Sequence, residues 1–205
     1  MDKENKFDPI EIGPVSFWFP TAIYRVDNIF DQDQNKKWSQ LILDTSQNIQ
    51  SGGKFWLGNT FTSLNGSYDL KNDKEFESLI TTVLNHVQIF AETFESYEDY
   101  ICDAAWFNIN YANTFQEFHL HENSIFSAVY WVNVPDNSGH LRFQDPRPPD
   151  MLTVKNGKKT SPLTFDQIIA TPKTGSLVIF RSNLRHCVTV CKNVDPRISI
   201  AFNFL

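Results

Sequence analysis

The chain has 205 residues, 41% apolar and 20% charged, and 18 Lys and Arg against 24 Asp and Glu give a formal net charge of −6. That length and apolar content suit one globular domain spanning 1–205 and exclude disorder, collagen and coiled coil. No window approaches the roughly 18 uninterrupted apolar residues of a membrane span, and the charged segment from Met1 to Asp8 lacks an apolar signal core, so a cytoplasmic protein is expected. Cys102, Cys187 and Cys191 are an odd number and too few for a disulfide scaffold, which fits a reducing compartment. No Lys and Arg cluster is present, which disfavours nucleic acid as the main partner. Eighteen Phe and five Trp predict a wide core or an aromatic-lined cavity.

Taken in chain order, Val15 to Tyr24 is an aromatic run broken by Pro20 and reads as an edge strand. A first helix is expected from Asp31 to Asn48, with Trp38, Leu41 and Ile42 on one face, stopping near Gly52 and Gly53. A second is expected behind an Asp73 cap, because Phe76, Leu79, Ile80, Val83, Leu84, Val87, Phe90 and Phe94 recur at steps of three and four. The intervening stretch from Phe55 to Asp69 reads as a long loop with one short strand. From Ile101 the period changes to two. Strands are expected over 102–111, 115–121, 125–134, 140–144, 175–180, 186–190 and 197–205, enough for a β-sandwich or barrel buttressed by the two helices. The polar stretch 146–172 reads as a long insertion, the kind of segment that is often functional.

Three of the five histidines carry the chemical interest. His119 and His121, two apart on a strand, point to one face and can offer two imidazoles to a single metal ion. His186, opening a late strand, is a candidate third ligand that would leave half of an octahedral sphere open. His86 in the second helix and His140 in a turn read as structural. Arg197 opens a terminal strand otherwise too apolar for the surface, with Ser199, Ala201 and Asn203 on its face. A guanidinium with a hydroxyl two residues on suits a carboxylate ligand, and a salt bridge to Asp145 or Asp195 is the structural alternative.

These segments together resemble the iron(II)- and 2-oxoglutarate-dependent oxygenases of the double-stranded β-helix fold, a jelly-roll or cupin-like barrel. The similarity runs in order through Trp106-Phe-Asn108, His119-Leu-His121, Ser127 to Pro135, Ser138 to Arg147 with its Asp145-Pro-Arg147, Pro172 to Ser182, Leu184-Arg-His186 and Arg197-Ile-Ser-Ile-Ala-Phe-Asn203. It is most similar to a subgroup of bacteria and their phages with a His-x-His stretch, an Asp-Pro-Arg and a terminal Arg-x-Ser-x-x-Phe-Asn. It covers residues 101–205 well, as a metal-binding barrel core, and 1–100 loosely, as a helical buttress and first strands.

The resemblance implies Fe(II) held by His119, His121 and His186, and 2-oxoglutarate held by Arg197 and Ser199, with Asn108 pointing at the cosubstrate. Gly175 would fall in the tight turn before the strand leading to His186. O₂ and an unidentified prime substrate would complete the reaction, hydroxylation with release of succinate and CO₂, in the cytoplasm of a bacterium or of a phage's host. His121 stands where the wider superfamily carries Asp or Glu; Asp145, Glu117 and Glu122 are the candidates that could restore a carboxylate. Asp145 and Arg147 would otherwise border the substrate mouth. Two other readings are open: a cupin-type three-histidine dioxygenase that uses no 2-oxoglutarate, and a non-enzymatic jelly-roll binding module.

Overall fold

In the computed structural model, residues 10–12, 14–17, 19–147 and 164–205 are described. A small hairpin, β1 (Ile10–Ile12) and β2 (Val15–Phe17), precedes β3 (Ile23–Val26), α1 (Gln32–Ser46), β4 (Phe61–Thr62) and α2 (Glu77–Glu92). Eight further strands follow: β5 (Cys102–Asn110), β6 (Gln116–His119), β7 (Phe126–Asn133), β8 (Leu141–Gln144), β9 (Gln167–Ala170), β10 (Leu177–Arg181), β11 (His186–Val188) and β12 (Arg197–Phe204). They divide into a larger sheet of order β3-β10-β7-β12-β5-β4 and a smaller one of order β6-β11-β8-β9. All the pairings within these sheets are antiparallel. This is the double-stranded β-helix expected from the sequence, with both helices on the outside of the larger sheet.

The period of two along each strand decides what the larger sheet offers on its two faces. Ile198, Ile200, Phe202 and Phe204 of β12, with Tyr130 and Val132 of β7 and Phe107 and Ile109 of β5, pack outward into one apolar cluster with Trp38, Ile42, Leu79, Val83, Val87 and Phe90 of the helices. Each such fully buried side chain contributes roughly 1.5 to 3 kcal/mol from area removed from water. The opposite face of the same strands looks between the sheets. There Trp131, Leu141, Phe143, Val178, Phe180 and Leu184 form a second, smaller cluster that closes one end of the barrel.

The two helices start differently, and only α1 has a side-chain cap of its own. Asp31 caps α1 by accepting from the Gln34 N–H at 2.8 Å. Asp73 accepts from the Glu75 N–H at 2.9 Å, but it caps a 3-10 turn, Lys74–Phe76, that leads into α2. Gly175 holds φ +81° in the turn before β10, where the N–H donates to the Trp131 carbonyl at 2.8 Å. A side chain there would be strained by that left-handed backbone.

Two further expectations need correction. The run from Val15 to Tyr24 is split, with β2 in the hairpin and β3 as the sheet edge, because Phe19 adopts φ 59° ahead of Pro20 and breaks the extended path. The stretch 146–172 is not all insertion: β9 pairs along β8, Leu141 with Ala170 through Gln144 with Gln167, as the smaller sheet's edge. Its Ile168 and Ile169 are both exposed, so the two-residue alternation that marks a half-buried strand is absent. Residues 148–163, the rest of that stretch, lie outside the described residues. No described helix is long and apolar enough to cross a membrane.

Candidate active site

The space between the sheets holds a cavity of about 360 Å³, within the range of small-ligand sites. Arg197, Ser199, Ala201 and Asn203 of β12 line it along one side, with Trp106, Asn108 and Asn110 of β5 beside them. Register explains the match, since Arg197 lies opposite Asn110, Ser199 opposite Asn108 and Ala201 opposite Trp106. His119, His121 and His186 face them from the smaller sheet side.

The three imidazoles converge. One nitrogen from each lies within 4.8 Å of the others, and the ring centroids of His119 and His186 are 4.3 Å apart. His119 ends β6 and His186 begins β11, and the two are direct partners in the ladder. His121 lies two residues past the end of β6, where its N–H donates to the Ser182 carbonyl at 3.0 Å. Trp106 leans on its ring at 5.6 Å.

Hydrogen bonds fix which nitrogen of each ring is available. Nδ1 of His119 is 2.7 Å from the Glu117 carbonyl, and Nδ1 of His186 is 2.9 Å from the Leu184 carbonyl. A carbonyl only accepts, so each Nδ1 carries the proton. Nδ1 of His121 meets the Asn203 side-chain oxygen at 2.5 Å and the Ser127 hydroxyl at 3.0 Å. Burial lowers the pKa of all three rings, His186 to about 3, so they are neutral near pH 7 and each Nε2 keeps its lone pair. Three neutral imidazoles of this kind are a donor set that fits Fe(II).

Arg197 is the opposite kind of group. It is 1% exposed, and among the described residues its side chain bonds the Asn110 side-chain oxygen at 3.0 Å and the Ser199 hydroxyl at 3.4 Å, both through Nη1. Nε has no acceptor. No carboxylate pairs with it among the described residues. Desolvation pulls its pKa down to about 10, still charged at neutral pH. The Oδ1 of Asn108, in the same cavity, is likewise buried without a partner. The cation calls for a ligand carrying negative charge, and the Asn108 oxygen calls for a hydrogen-bond donor or a turn of its amide.

The carboxylates that could have joined the histidines lie elsewhere. Asp145 binds Arg147, 2.6 Å between Oδ2 and Nη2, and this pair holds its carboxyl below the usual range. The two border a separate apolar pocket with Phe143 and Leu184, away from the histidines, and so do not form the mouth of the histidine cavity. Asp195 is not bonded to Arg197 either; its backbone carbonyl accepts from Asn193. Glu117 shares a parity with His119 only in a regular strand, and the register shifts between the His186–His119 and Val188–Gln116 pairs. That bulge turns Gln116 toward the cavity, while Glu117 accepts from the Leu57 N–H at 2.5 Å. Glu122 does line the cavity, but it is exposed and lies outside the cluster of three nitrogens.

Sequence reasoning missed part of the wall. Asn110 continues the inward row of Trp106 and Asn108, so parity alone would have found it. Trp56 and Thr60 reach the cavity from the loop before β4. That loop hugs β6 through the Phe115 N–H bonded to the Gly58 carbonyl at 3.1 Å, an approach so close that a Cβ on Gly58 would lie 1.8 Å from the Phe115 oxygen. His86 and His140 are outside the cavity; the former bonds the Tyr24 hydroxyl at 2.9 Å.

Residues 104–203 match the family described as "Putative 2OG-Fe(II) oxygenase". No curated protein sequence matches the chain. Among solved structures, it is similar to a Pseudomonas putida prolyl-4-hydroxylase at 15% identity and TM-score 0.61, covering 90% of this chain and 92% of that one. A viral collagen prolyl hydroxylase from Paramecium bursaria Chlorella virus-1, solved with 2-oxoglutarate, is similar at 10% identity and TM-score 0.57 over 89% and 94% of the two chains. The epimerase SnoN of nogalamycin biosynthesis, with Fe3+ and alpha ketoglutarate, gives 10% identity and TM-score 0.63 over 90% and 79%. At these identities the structural likenesses speak for the fold alone. The sequence match over the barrel, its ordered motifs and the histidine cluster at the cavity give the family of this segment: residues 104–203 belong to the 2-oxoglutarate- and iron(II)-dependent oxygenases, with Fe(II) as cofactor and 2-oxoglutarate as cosubstrate.

Proposed function

We propose that the chain hydroxylates a prime substrate, with Fe(II) held by His119, His121 and His186 and 2-oxoglutarate held by Arg197, Ser199 and Asn108. In this reading residues 101–205 are the metal-binding barrel and 1–100 its helical buttress. The observation that carries it is the charged, fully buried guanidinium of Arg197, without an anionic partner among the described residues, in one cavity with three converging imidazoles. A three-histidine dioxygenase without 2-oxoglutarate has no use for that cation, and a binding module has no use for the histidine cluster.

When bound, the iron and 2-oxoglutarate supply an oxidation by O₂ that releases succinate and CO₂. The protein holds and orients. Arg197 would hold the distal carboxylate of 2-oxoglutarate with its guanidinium, while Asn110 anchors Nη1. Ser199 receives its contact from Nη1 and keeps its own O–H to donate to the same carboxylate. Asn108, unpartnered at Oδ1, can turn its amide so that the NH₂ group meets a carboxylate oxygen. Trp106, Val129, Leu141 and Val188 line the remaining wall and keep water out.

An anaerobic titration of the apoprotein with Fe(II) and then 2-oxoglutarate tests this. A weak visible charge-transfer band is expected only when both are present. Iron binding without that band favours the three-histidine dioxygenase, and no iron binding favours the binding module. Hydroxylation itself is read from the product, as an oxygen atom gained by the substrate.

A further inference from the structure

We infer that Asn203 is a positioning residue for the metal site: its side-chain oxygen, backed by Ser127 and Ser182, holds the His121 ring with the proton on Nδ1 and Nε2 turned toward the ion. This rests on the assignment of His121 as a ligand. The three rings are held in different ways. His119 and His186 each lean on the backbone carbonyl two residues earlier, a contact that any sequence at those positions provides. His121 is past the end of its strand and has no such carbonyl at its ring.

Its acceptor instead comes from residues distant in sequence. Asn203 and Ser127 are direct partners across β12 and β7, and Ser182 follows β10 with its hydroxyl 2.8 Å from that of Ser127. Both serines are fully buried. With the Asn203 oxygen turned toward the ring, the donors fall in one order. Ser127 donates to the Asn203 oxygen at 3.0 Å, so the hydrogen between the two serines comes from Ser182. One lone pair of the Asn203 oxygen is thereby used, and the Nδ1–H of His121 takes the other. A ring protonated on Nε2 would set two acceptors against each other and turn an N–H toward the ion. Polar side chains aligned across three neighbouring elements, beside the apolar Phe202 and Phe204, cost free energy unless such a network satisfies them.

Two measurements on the full chain test this, with Co(II) as the metal probe. In metal-free protein, ¹⁵N NMR of the histidine rings is expected to show His121 protonated on Nδ1, and Asn203→Leu is expected to lose that preference. Co(II) affinity is expected to fall about 10- to 100-fold in Asn203→Leu, the usual cost of losing a residue behind a ligand. Asn203→Asp keeps the acceptor and is expected to hold or raise affinity. In a His121→Asp background the need reverses: Asn203 can turn its amide and donate to the new carboxylate, whereas Asn203→Asp sets two carboxylates together and is expected to cost tenfold or more. That change of sign belongs to a direct pairing and not to a general structural role. An unchanged His121 tautomer in Asn203→Leu, or equal effects of Asn203→Asp in both backgrounds, overturns the positioning role even if the wild-type protein binds metal normally. Failure of the wild-type protein to bind Co(II) or Fe(II) overturns the functional reading instead, and with it the metal side of this inference.

Discussion

At one end of β12, Asn203 satisfies His121 while backbone carbonyls satisfy His119 and His186, so the three rings are neutral and partnered; at the other end Arg197 carries a full charge held by one firm hydrogen bond and one long one. Both ends line the same cavity, and both are built on alternate residues of one strand. The histidine end is complete without a ligand on the Nδ1 side and keeps only its Nε2 lone pairs unused. The Arg197 end is incomplete, since a desolvated cation costs several kcal/mol that a paired anion recovers. A fold tolerates such a debt where binding needs it, which is why the departure from ordinary core composition marks a site.

The largest expected effect breaks the histidine end. His186→Ala should abolish iron binding, and one iron still bound per chain would remove His186 from the ligand set. Because the ring also packs on Phe180 at 4.6 Å, circular dichroism should accompany the metal assay to show that the barrel is intact.

Acid separates the two ends next. All three histidines have folded pKa values below the usual one, His186 near 3, so the unfolded chain binds more protons as the pH drops through 6.5. The stability of the metal-free protein is therefore full above about pH 6.5 and is lost as pH falls toward 3, with His186 contributing on the order of 5 kcal/mol at the limit. Arg197 stays protonated throughout that window and contributes nothing to the slope. Denaturant midpoints at pH 7 and pH 4 with chelator present measure this. His186→Phe should flatten the dependence, and an equally steep loss in that variant would assign the acid sensitivity to the other groups with lowered pKa, His119, His121, His86 and Asp145 among them.

Arg197→Met should weaken 2-oxoglutarate by about 2 to 5 kcal/mol while sparing iron, because a buried charge-assisted contact is lost. The same change should raise the thermal midpoint of the ligand-free protein, since it removes an uncompensated buried charge. Calorimetry with and without 2-oxoglutarate checks both signs. A drop in stability would mean that Arg197 already has all the partners it needs.

The contrast also explains what was legible in the sequence. The inward row Arg197, Ser199, Ala201, Asn203 follows from strand parity, and His119 with His186 follows from ordered motifs. The two helices were readable from their three- and four-residue periods, because each buries one stripe on a flat sheet. Four features were not readable, for distinct reasons. The bulge that sends Glu117 outward depends on pairing with β11, which local sequence does not encode. Strand β9 carries exposed Ile168 and Ile169 at a sheet edge and lacks the alternation that marks a half-buried strand. Ser127 and Ser182 look like ordinary polar residues until the fold brings them to Asn203, and Asp145 looked like a ligand until its bidentate grip on Arg147 placed it in another pocket.

The smallest predicted effect sharpens the comparison by giving the Arg197 end the completeness of the histidine end. Asn110→Asp keeps an acceptor 3.0 Å from Nη1 and adds the missing negative charge. It also disturbs two neighbours: the Asn110 amide now donates to the hydroxyls of Thr60 at 2.8 Å and Thr114 at 3.1 Å. Those hydroxyls would have to turn from the Phe115 and Tyr111 carbonyls to donate to a carboxylate. The internal ion pair therefore adds little net stability, and the thermal midpoint should rise less than in Arg197→Met. Its effect on binding is clearer, because the new carboxylate competes with the distal carboxylate of 2-oxoglutarate for one guanidinium. A loss of about tenfold in 2-oxoglutarate affinity, roughly 1.4 kcal/mol, is expected with Co(II) affinity unchanged. Unchanged 2-oxoglutarate affinity would mean that the anion is anchored elsewhere and that the charge on Arg197 serves another ligand.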